Sequence, residues 1–373
     1  MDDFADPIEQ RRLSHLLMVV LLLIVYGSLY PFSFATHHSA VLAWAWDGGA
    51  AAIRDAIINV ALYFPVGYLL FHTRGSVAVA TFVSLAVSGG VELLQAFDHG
   101  RVSSLPDLLL NVSGGAAGAW TASRVPSRIS AAFAIILLAI VARTFPFFPS
   151  GHLHWSAFQL DQALFATADW LAVRCALSIL LRRTAVTREL GLLMLIIIPA
   201  RMFLLDQQTS LSEVAGALVA LCIGYVWPAR APWRPQQFAP FMLLAIIGRE
   251  LLPFHFTATP QTFHWIPFQT LLEGPQTGAV IFLGKLLLYT SSLWLLDPDV
   301  QRIWRFALVV AGLVGILEWV QCYLPGRTPD ISDSIIVLIG ACALSAVRPS
   351  AAGAVVGQAT KQRWPVPQNS VTS

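Results

Sequence analysis

The sequence predicts an all-α, polytopic transmembrane bundle of about 12 helices in three four-helix repeats. Three observations carry this reading. The 373 residues are 56% hydrophobic and 12% charged, with mean hydropathy +0.67, whereas soluble domains run near ~25% charged. About twelve apolar segments of roughly 16–22 residues recur along the chain, the length a helix needs to cross a ~30 Å hydrocarbon core. Lys and Arg gather in alternate connections between those segments, the positive-inside pattern of a multi-pass protein. Open sheet is excluded at that depth, because its backbone groups would find no partner in lipid.

Taken in order, the segments centre near Val20, Leu62, Leu85 and Gly114, then Ile136, Leu177, Ile196 and Leu218, then Leu244, Leu286, Val314 and Val337. The first, Leu13–Tyr30, is long for a signal-peptide core and Ser33-Phe34-Ala35 is a poor cleavage site, so it reads as a retained helix. With Asp2 to Arg12 on the cytoplasmic side, the even-numbered connections and both tails hold 15 of the 23 Lys and Arg, including Arg128, Arg230, Arg234, Arg348, Lys361 and Arg363. Arg54, Arg101 and Arg327 fall outside. The expected location is therefore a bacterial cytoplasmic (inner) membrane with both termini cytoplasmic.

Arg143, Arg174, Arg201, Arg249 and Lys285 lie within apolar segments. Arg143 and Arg249, near outer ends, are placed to snorkel. The outer stretches 33–52, 147–166 and 255–276 are rich in Trp and Phe and read as an aromatic belt or re-entrant packing. Cys175, Cys222, Cys322 and Cys342 sit in apolar segments and read as small hydrophobes. Seven of the nine histidines fall on the outer side, His37, His38, His152 and His154 among them. His152-x-His154 has no carboxylate or thiolate to complete a site, so no metal is expected. The stretch from Pro349 onward has no periodicity and reads as a disordered cytoplasmic tail.

An internal repeat organises the polar residues. An offset of 226 maps Glu92 onto Glu318. The same offset, without a gap, maps Asn59 onto Lys285, Tyr63 onto Tyr289, Gln95 onto Gln321, Arg101 onto Arg327, Asp107 onto Asp333 and Gly114 onto Gly340. A worn middle copy lies between: His154–Gln159 echoes His264–Gln269, and Ser210-Leu-Ser-Glu213 stands in the place of Ser104-Leu-Pro-Asp107. There Arg201 is expected near the place of Glu92, and the polar set appears lost from the sequence. The units run 1–126, 127–233 and 234–348, followed by the tail 349–373.

The expected site follows from this topology. Glu92 and Gln95 share one face in the outward half of the third helix, Arg101 follows in a short outer loop, Asp107 and Asn111 share a face at the start of the fourth, and Asn59 lies near the outer end of the second. The third unit offers Lys285, Glu318, Gln321, Arg327, Asp330 and Asp333. Such groups are expensive in lipid and should pair with one another, so Glu92–Arg101 and Glu318–Arg327 are the expected ion pairs. Lys285 is expected to meet Glu318 or an anionic head group. Ser104-Leu-Pro-Asp107, Ser210-Leu-Ser-Glu213 and Asp330-Ile-Ser-Asp333 fit a capping box. Gly114-x₃-Gly118 reads as a close helix contact.

The order Asn59-x₃-Tyr63, Pro65, Gly67, Glu92-x₂-Gln95, Arg101, Asp107, Asn111 and Gly114 resembles the VanZ-like membrane domain, a four-helix unit named after a glycopeptide-resistance protein. The third unit resembles it through Ile266–Phe268, Glu318, Gln321, Arg327, Asp330 and Asp333, with Lys285 and Val337 in place of the two Asn residues. Ser104 stands where the family often has an Asp. The resemblance implies an envelope-associated membrane protein and brings no defined reaction.

The expected function is to bind or move the head group of a lipid or lipid-linked glycan at an outward-facing polar cluster, Arg and Lys taking phosphate, Glu and Gln taking hydroxyls and amides. An intramembrane head-group transferase or hydrolase using Glu92 or Glu318 is the alternative, as is a structural partner of an envelope-biosynthesis enzyme. The expected partners are membrane lipids or lipid-linked envelope precursors. No Walker loop, dinucleotide fingerprint or HExxH occurs, so no cofactor is expected. The basic residues are scattered along loop edges, which disfavours nucleic acid.

Overall fold

A computed structural model describes residues 7–36, 41–44, 46–99, 101–125, 129–150, 155–204, 207, 209–226 and 235–347. His37, His38, His152, His154, Arg128, Arg230, Arg234 and the tail from Arg348 onward lie outside the described residues.

The chain is all-α and multi-pass. Four helices come first: α1 (Pro7–Leu29), α2 (Ala50–Arg74), α3 (Val77–Gln95) and α4 (Leu105–Ala122). Then follow α5 (Ala131–Thr144), α6 (Leu160–Leu180), α7 (Thr187–Arg201) and α8 (Leu211–Val226). The last group is α9 (Ala239–Leu251), the five-residue α10 (Gln269–Glu273), α11 (Pro275–Leu296), α12 (Ile303–Gln321) and α13 (Ser332–Ala346). The only sheet among the described residues is a two-residue parallel pair, β1 (Trp155–Ser156) with β2 (Thr209–Ser210).

Among the described residues six helices are long and apolar enough to cross a membrane: α1, α2, α3, α6, α12 and, in α11, Thr277–Leu296. Each of the twelve expected apolar segments forms a helix, with the short α10 in addition, and several are shorter than expected. At ~1.5 Å per residue, α5, α7, α9 and α13, of 14, 15, 13 and 15 residues, reach only about 20–22 Å. Their apolar runs continue in sequence beyond the helix ends, chiefly into proline-containing turns that cannot extend a helix.

Local sequence sets the boundaries. Ser76, Ser104 and Ser130 occupy N-caps, each side chain accepting from the backbone N–H three residues on. Gly75 closes α2 in the left-handed region at φ 69°, its N–H bonding Phe71 O. After α1, α5 and α9 comes the same Pro-Phe turn: Pro31-Phe32, Pro146-Phe147 and Pro253-Phe254, with cis peptides before the prolines and Phe φ values of 63°, 61° and 60°. Shortly after each turn a backbone rung reaches the loop that follows α3, α7 or α12: Ala35 N to Phe97 O, Ser150 N to Phe203 O and Thr257 N to Tyr323 O, all 2.8 Å.

Within each group the same two helices pack: α2 on α4, α6 on α8, α11 on α13. Between α2 and α4 the approach depends on glycine. A Cβ on Gly67 would lie 1.7 Å from Gly115 O, on Gly114 2.4 Å from Val60 O, and on Gly118 2.0 Å from Phe64 O, so the close contact expected at Gly114-x₃-Gly118 is present. A large apolar core runs through α5–α9 and α11–α13, and a separate small one, built on Ile24, Tyr63, Val66, Leu70, Ala80 and Ala119, serves α1–α4. The groups meet where α1 packs on α13 and α5 on α11, and Tyr26 donates to Pro267 O at 2.7 Å.

Candidate functional site

Each group of helices gathers its polar side chains at the end where α3, α7 and α12 finish and α4, α8 and α13 begin. Gln95, Arg201 and Gln321 are the last residues of the first three. Asp107, Glu213 and Asp333 stand in the first turn of the others.

In α1–α4 these groups form two layers. The outer layer holds Asn59, Glu92 and Asp107. Glu92 is 3% exposed, and its Oε2 accepts from Ser104 N at 2.7 Å. Asn59 Nδ2 donates to Asp107 Oδ1 at 3.0 Å, and Ser104 Oγ accepts from Asp107 N at 3.3 Å. One turn deeper, on the same three helices, lie Tyr63, Ser88 and Asn111. Asn111 Nδ2 donates to Ser88 Oγ at 3.0 Å. The Tyr63 hydroxyl and Asn111 Oδ1 are buried without a well-formed hydrogen bond. Gln95 points away from both layers and donates to Ser28 O at 2.8 Å.

The expected Glu92–Arg101 pair does not form. Arg101 is exposed and donates to Tyr30 O at 3.0 Å. The expected Glu318–Arg327 pair is absent too: Arg327 donates to Leu252 O at 2.8 Å through Nη2 and to Arg249 O at 2.6 Å. The reason is positional. Both arginines sit beside the Pro-Phe turn, whose proline leaves the preceding carbonyl without a helical partner. Gln207 does the same work in the middle group, donating to Phe145 O at 2.6 Å.

In α9–α13 the cluster is denser. Lys285 Nζ pairs with Asp333 Oδ1 at 2.5 Å rather than with Glu318, and Tyr289 donates to Asp333 Oδ2 at 2.6 Å. Gln321 Nε2 donates to Glu250 Oε2 at 2.7 Å. Glu318 Oε2 accepts from Asp330 N at 3.1 Å, as Glu92 does from Ser104. Asp330 accepts from Ser332 N at 2.7 Å and from Thr270 Oγ1 at 2.8 Å, just before the N-cap Ile331 of α13, so the capping box expected at Asp330–Asp333 is not formed. Glu250, Glu318 and Asp333 are all buried, each offering an oxygen within 4.8 Å of the others.

The middle group has not lost its polar set; it carries a different one. Arg143 Nη2 meets Asp169 Oδ2 at 3.1 Å and its Nε lies 3.5 Å from Glu213 Oε1. Arg201 Nη1 meets Glu213 Oε2 at 3.0 Å, and Trp170 Nε1 donates to Glu213 Oε1 at 3.0 Å. Arg201, last in α7 and bonded to Gln207 Oε1 at 3.2 Å, takes the position of Gln95 and not that of Glu92. Arg143 does not snorkel: it is 4% exposed and lies over the Trp170 ring at 4.7 Å.

The capping boxes are half-formed. Ser104 and Ser210 accept from Asp107 N and Glu213 N, while the acids bond to neighbouring helices, Asp107 to Asn59, Glu213 to Trp170 and Asp333 to Lys285. Sequence reasoning missed Glu250, Asp169, Trp170, Gln207 and the Tyr63–Ser88 layer. The Pro-Phe turns were the available signal: Ser28, Arg143 and Glu250 each stand three residues before the proline.

Residues 10–126 match the family model described as VanZ/LLP1. This part of the chain is VanZ-like. The match covers α1–α4 with both polar layers, from most of α1 to just beyond the end of α4. The similarity is confined to these four helices; the six helices long and apolar enough to cross a membrane among the described residues agree with a multi-pass membrane protein. No curated protein and no solved structure matches the chain.

Proposed function

We propose that the VanZ-like unit binds the polar head group of a membrane lipid or lipid-linked glycan at the open end of α2, α3 and α4. The single observation that carries this reading is a pair of buried polar atoms without a well-formed hydrogen bond, Asn111 Oδ1 and Tyr63 Oη, the latter meeting only Ser88, beneath the half-buried Asn59–Asp107 pair. A buried polar atom left unsatisfied costs about 1–3 kcal/mol, and a ligand group reaching Asn111 and Tyr63 would offset that cost.

The chemistry of the recess narrows the ligand. Asp107, Glu92 and Asn111 offer acceptor oxygens, and among the described residues no Lys or Arg bonds to the three. Such a recess favours hydroxyl or ammonium groups over phosphate. Exposed Arg101, in the loop leading to α4, is the group for a phosphate at the rim. We further read the chain as three tandem four-helix units with the polar ends facing outward and both termini cytoplasmic. In the second unit Arg143 and Arg201 pair with Asp169 and Glu213, and in the third Lys285 pairs with Asp333, which supports a structural role for those charges. The backbone bonds of Glu92 and Glu318 favour a positioning role for both over general-base catalysis.

The test is lipid mass spectrometry on protein purified in native nanodiscs, comparing wild type with Tyr63→Phe and Asn111→Leu. A glycolipid or aminolipid enriched with the wild type and depleted in both variants, at unchanged melting temperature, supports the reading. Identical lipid profiles in three folded proteins overturn it in favour of a purely structural network.

A further inference from the structure

At the opposite end of the bundle from the carboxylates, a cavity of about 260 Å³ opens between the start of α1, the start of α12 and the end of α13. Three guanidinium groups line it, Arg12 from α1, Arg302 at the N-cap of α12 and Arg305 in its first turn, together with His15, Gln301 and Ser345. No carboxylate contributes to the lining. Arg12 Nη1 lies 3.5 Å from Ser345 O at the end of α13. Among the described residues none of the three arginines forms an ion pair. We infer that this cavity is a binding site for a phosphate group, held by Arg12, Arg302 and Arg305, and that its source is the head group of an anionic phospholipid in the adjoining leaflet.

Three further features point the same way. The Arg302 backbone N–H is bonded to Asp297 Oδ2 at 2.5 Å, which fixes the residue that begins α12 and leaves its guanidinium exposed. The helix N-terminus itself adds a partial positive charge to the same wall. Trp304, 48% exposed beside the cavity, is the side chain that a membrane interface favours next to a lipid head group. Guanidinium forks suit phosphate oxygens better than ammonium groups do, and the described portion of this lining contains three arginines and no lysine.

This site is separate from the recess of the VanZ-like unit. It belongs to the other end of the molecule, and its residues are absent from the polar layers of α2, α3 and α4. Glu318, at the far end of α12, lies 13 residues beyond Arg305, or ~20 Å along the helix. One helix therefore connects the phosphate site to the buried carboxylates.

The experiment uses the full chain in nanodiscs of mixed phosphatidylglycerol and phosphatidylcholine, with retained lipids counted by native mass spectrometry. Arg302→Gln/Arg305→Gln is compared with Arg302→Lys/Arg305→Lys and wild type. Wild type is expected to retain phosphatidylglycerol preferentially, the Gln pair to lose that preference by about tenfold, and the Lys pair to fall between. Added inorganic phosphate separates the two sources: retention that withstands it supports the lipid head group, and full displacement by it overturns the lipid assignment. An unchanged phosphatidylglycerol preference in a Gln pair that melts like wild type overturns the site altogether. If the Gln pair fails to fold, the Lys pair with Arg12→Gln decides the same question.

Discussion

Lys285 and Asp333 form a 2.5 Å ion pair between α11 and α13, in which the aspartate side chain is wholly buried. Removing one member of a buried pair leaves an uncompensated charge and costs about 3–5 kcal/mol. Lys285→Met is therefore expected to lower unfolding stability in micelles by that amount, with Lys285→Met/Asp333→Leu recovering at least half. A single-variant loss under ~1 kcal/mol would show that the pair does not hold α11 to α13.

Glycine positions give a contrast within one unit. Gly118→Ala places a methyl 2.0 Å from Phe64 O, whereas Gly90→Ala meets nothing within 4 Å. The first is expected to destabilise by about 1–3 kcal/mol through forced separation of α2 and α4. The second should gain about 0.5–1 kcal/mol from helix propensity. Thermal melts of the two variants side by side check both signs.

Arg101 and Arg327 each donate to the carbonyl that precedes the proline of a Pro-Phe turn, and in the middle group Gln207 does so instead. Arg327→Gln is accordingly expected to stay within ~1 kcal/mol of wild type, while Arg327→Ala loses about 1.5–3 kcal/mol with its charged donor. Equal losses in both variants would mean that charge, rather than donation to Leu252 O, is what matters at this position.

Tyr63→Phe separates packing from binding. The hydroxyl has no well-formed bond, so its removal from the protein without ligand should leave stability unchanged or raise it by about 1 kcal/mol. In native membranes the same variant is expected to lose the added stability that a bound lipid confers on wild type. A melting-temperature comparison in delipidated detergent and in native nanodiscs reads the difference.

Much of the architecture is legible in the sequence, because apolar composition and a gapless offset of polar residues are one-dimensional signals. Glu92, Asp107, Glu318 and Asp333 stand out for that reason. Their partners do not. Whether Glu92 meets Arg101 or Ser104 depends on the path of a short loop, and spacing alone favours the opposite charge over the backbone N–H that the loop delivers. Glu250 is hidden for a different reason: its counterparts are Ser28 and Arg143, so no repeat of residue type marks the position. The sequence suggests longer helices at α5 and α9 because hydropathy continues through Pro146 and Pro253, where helical hydrogen bonding stops.

The Lys285–Asp333 pair also bears on how the chain is made. The two residues are 48 positions apart, so when α11 leaves the ribosome its partner has not yet been synthesised. At ~5–20 residues per second the lysine waits roughly 2–10 s before Asp333 arrives. Until α13 follows, Lys285 has no Asp333 to meet, so the ion pair that joins α11 to α13 is a late contact in the making of this part of the chain.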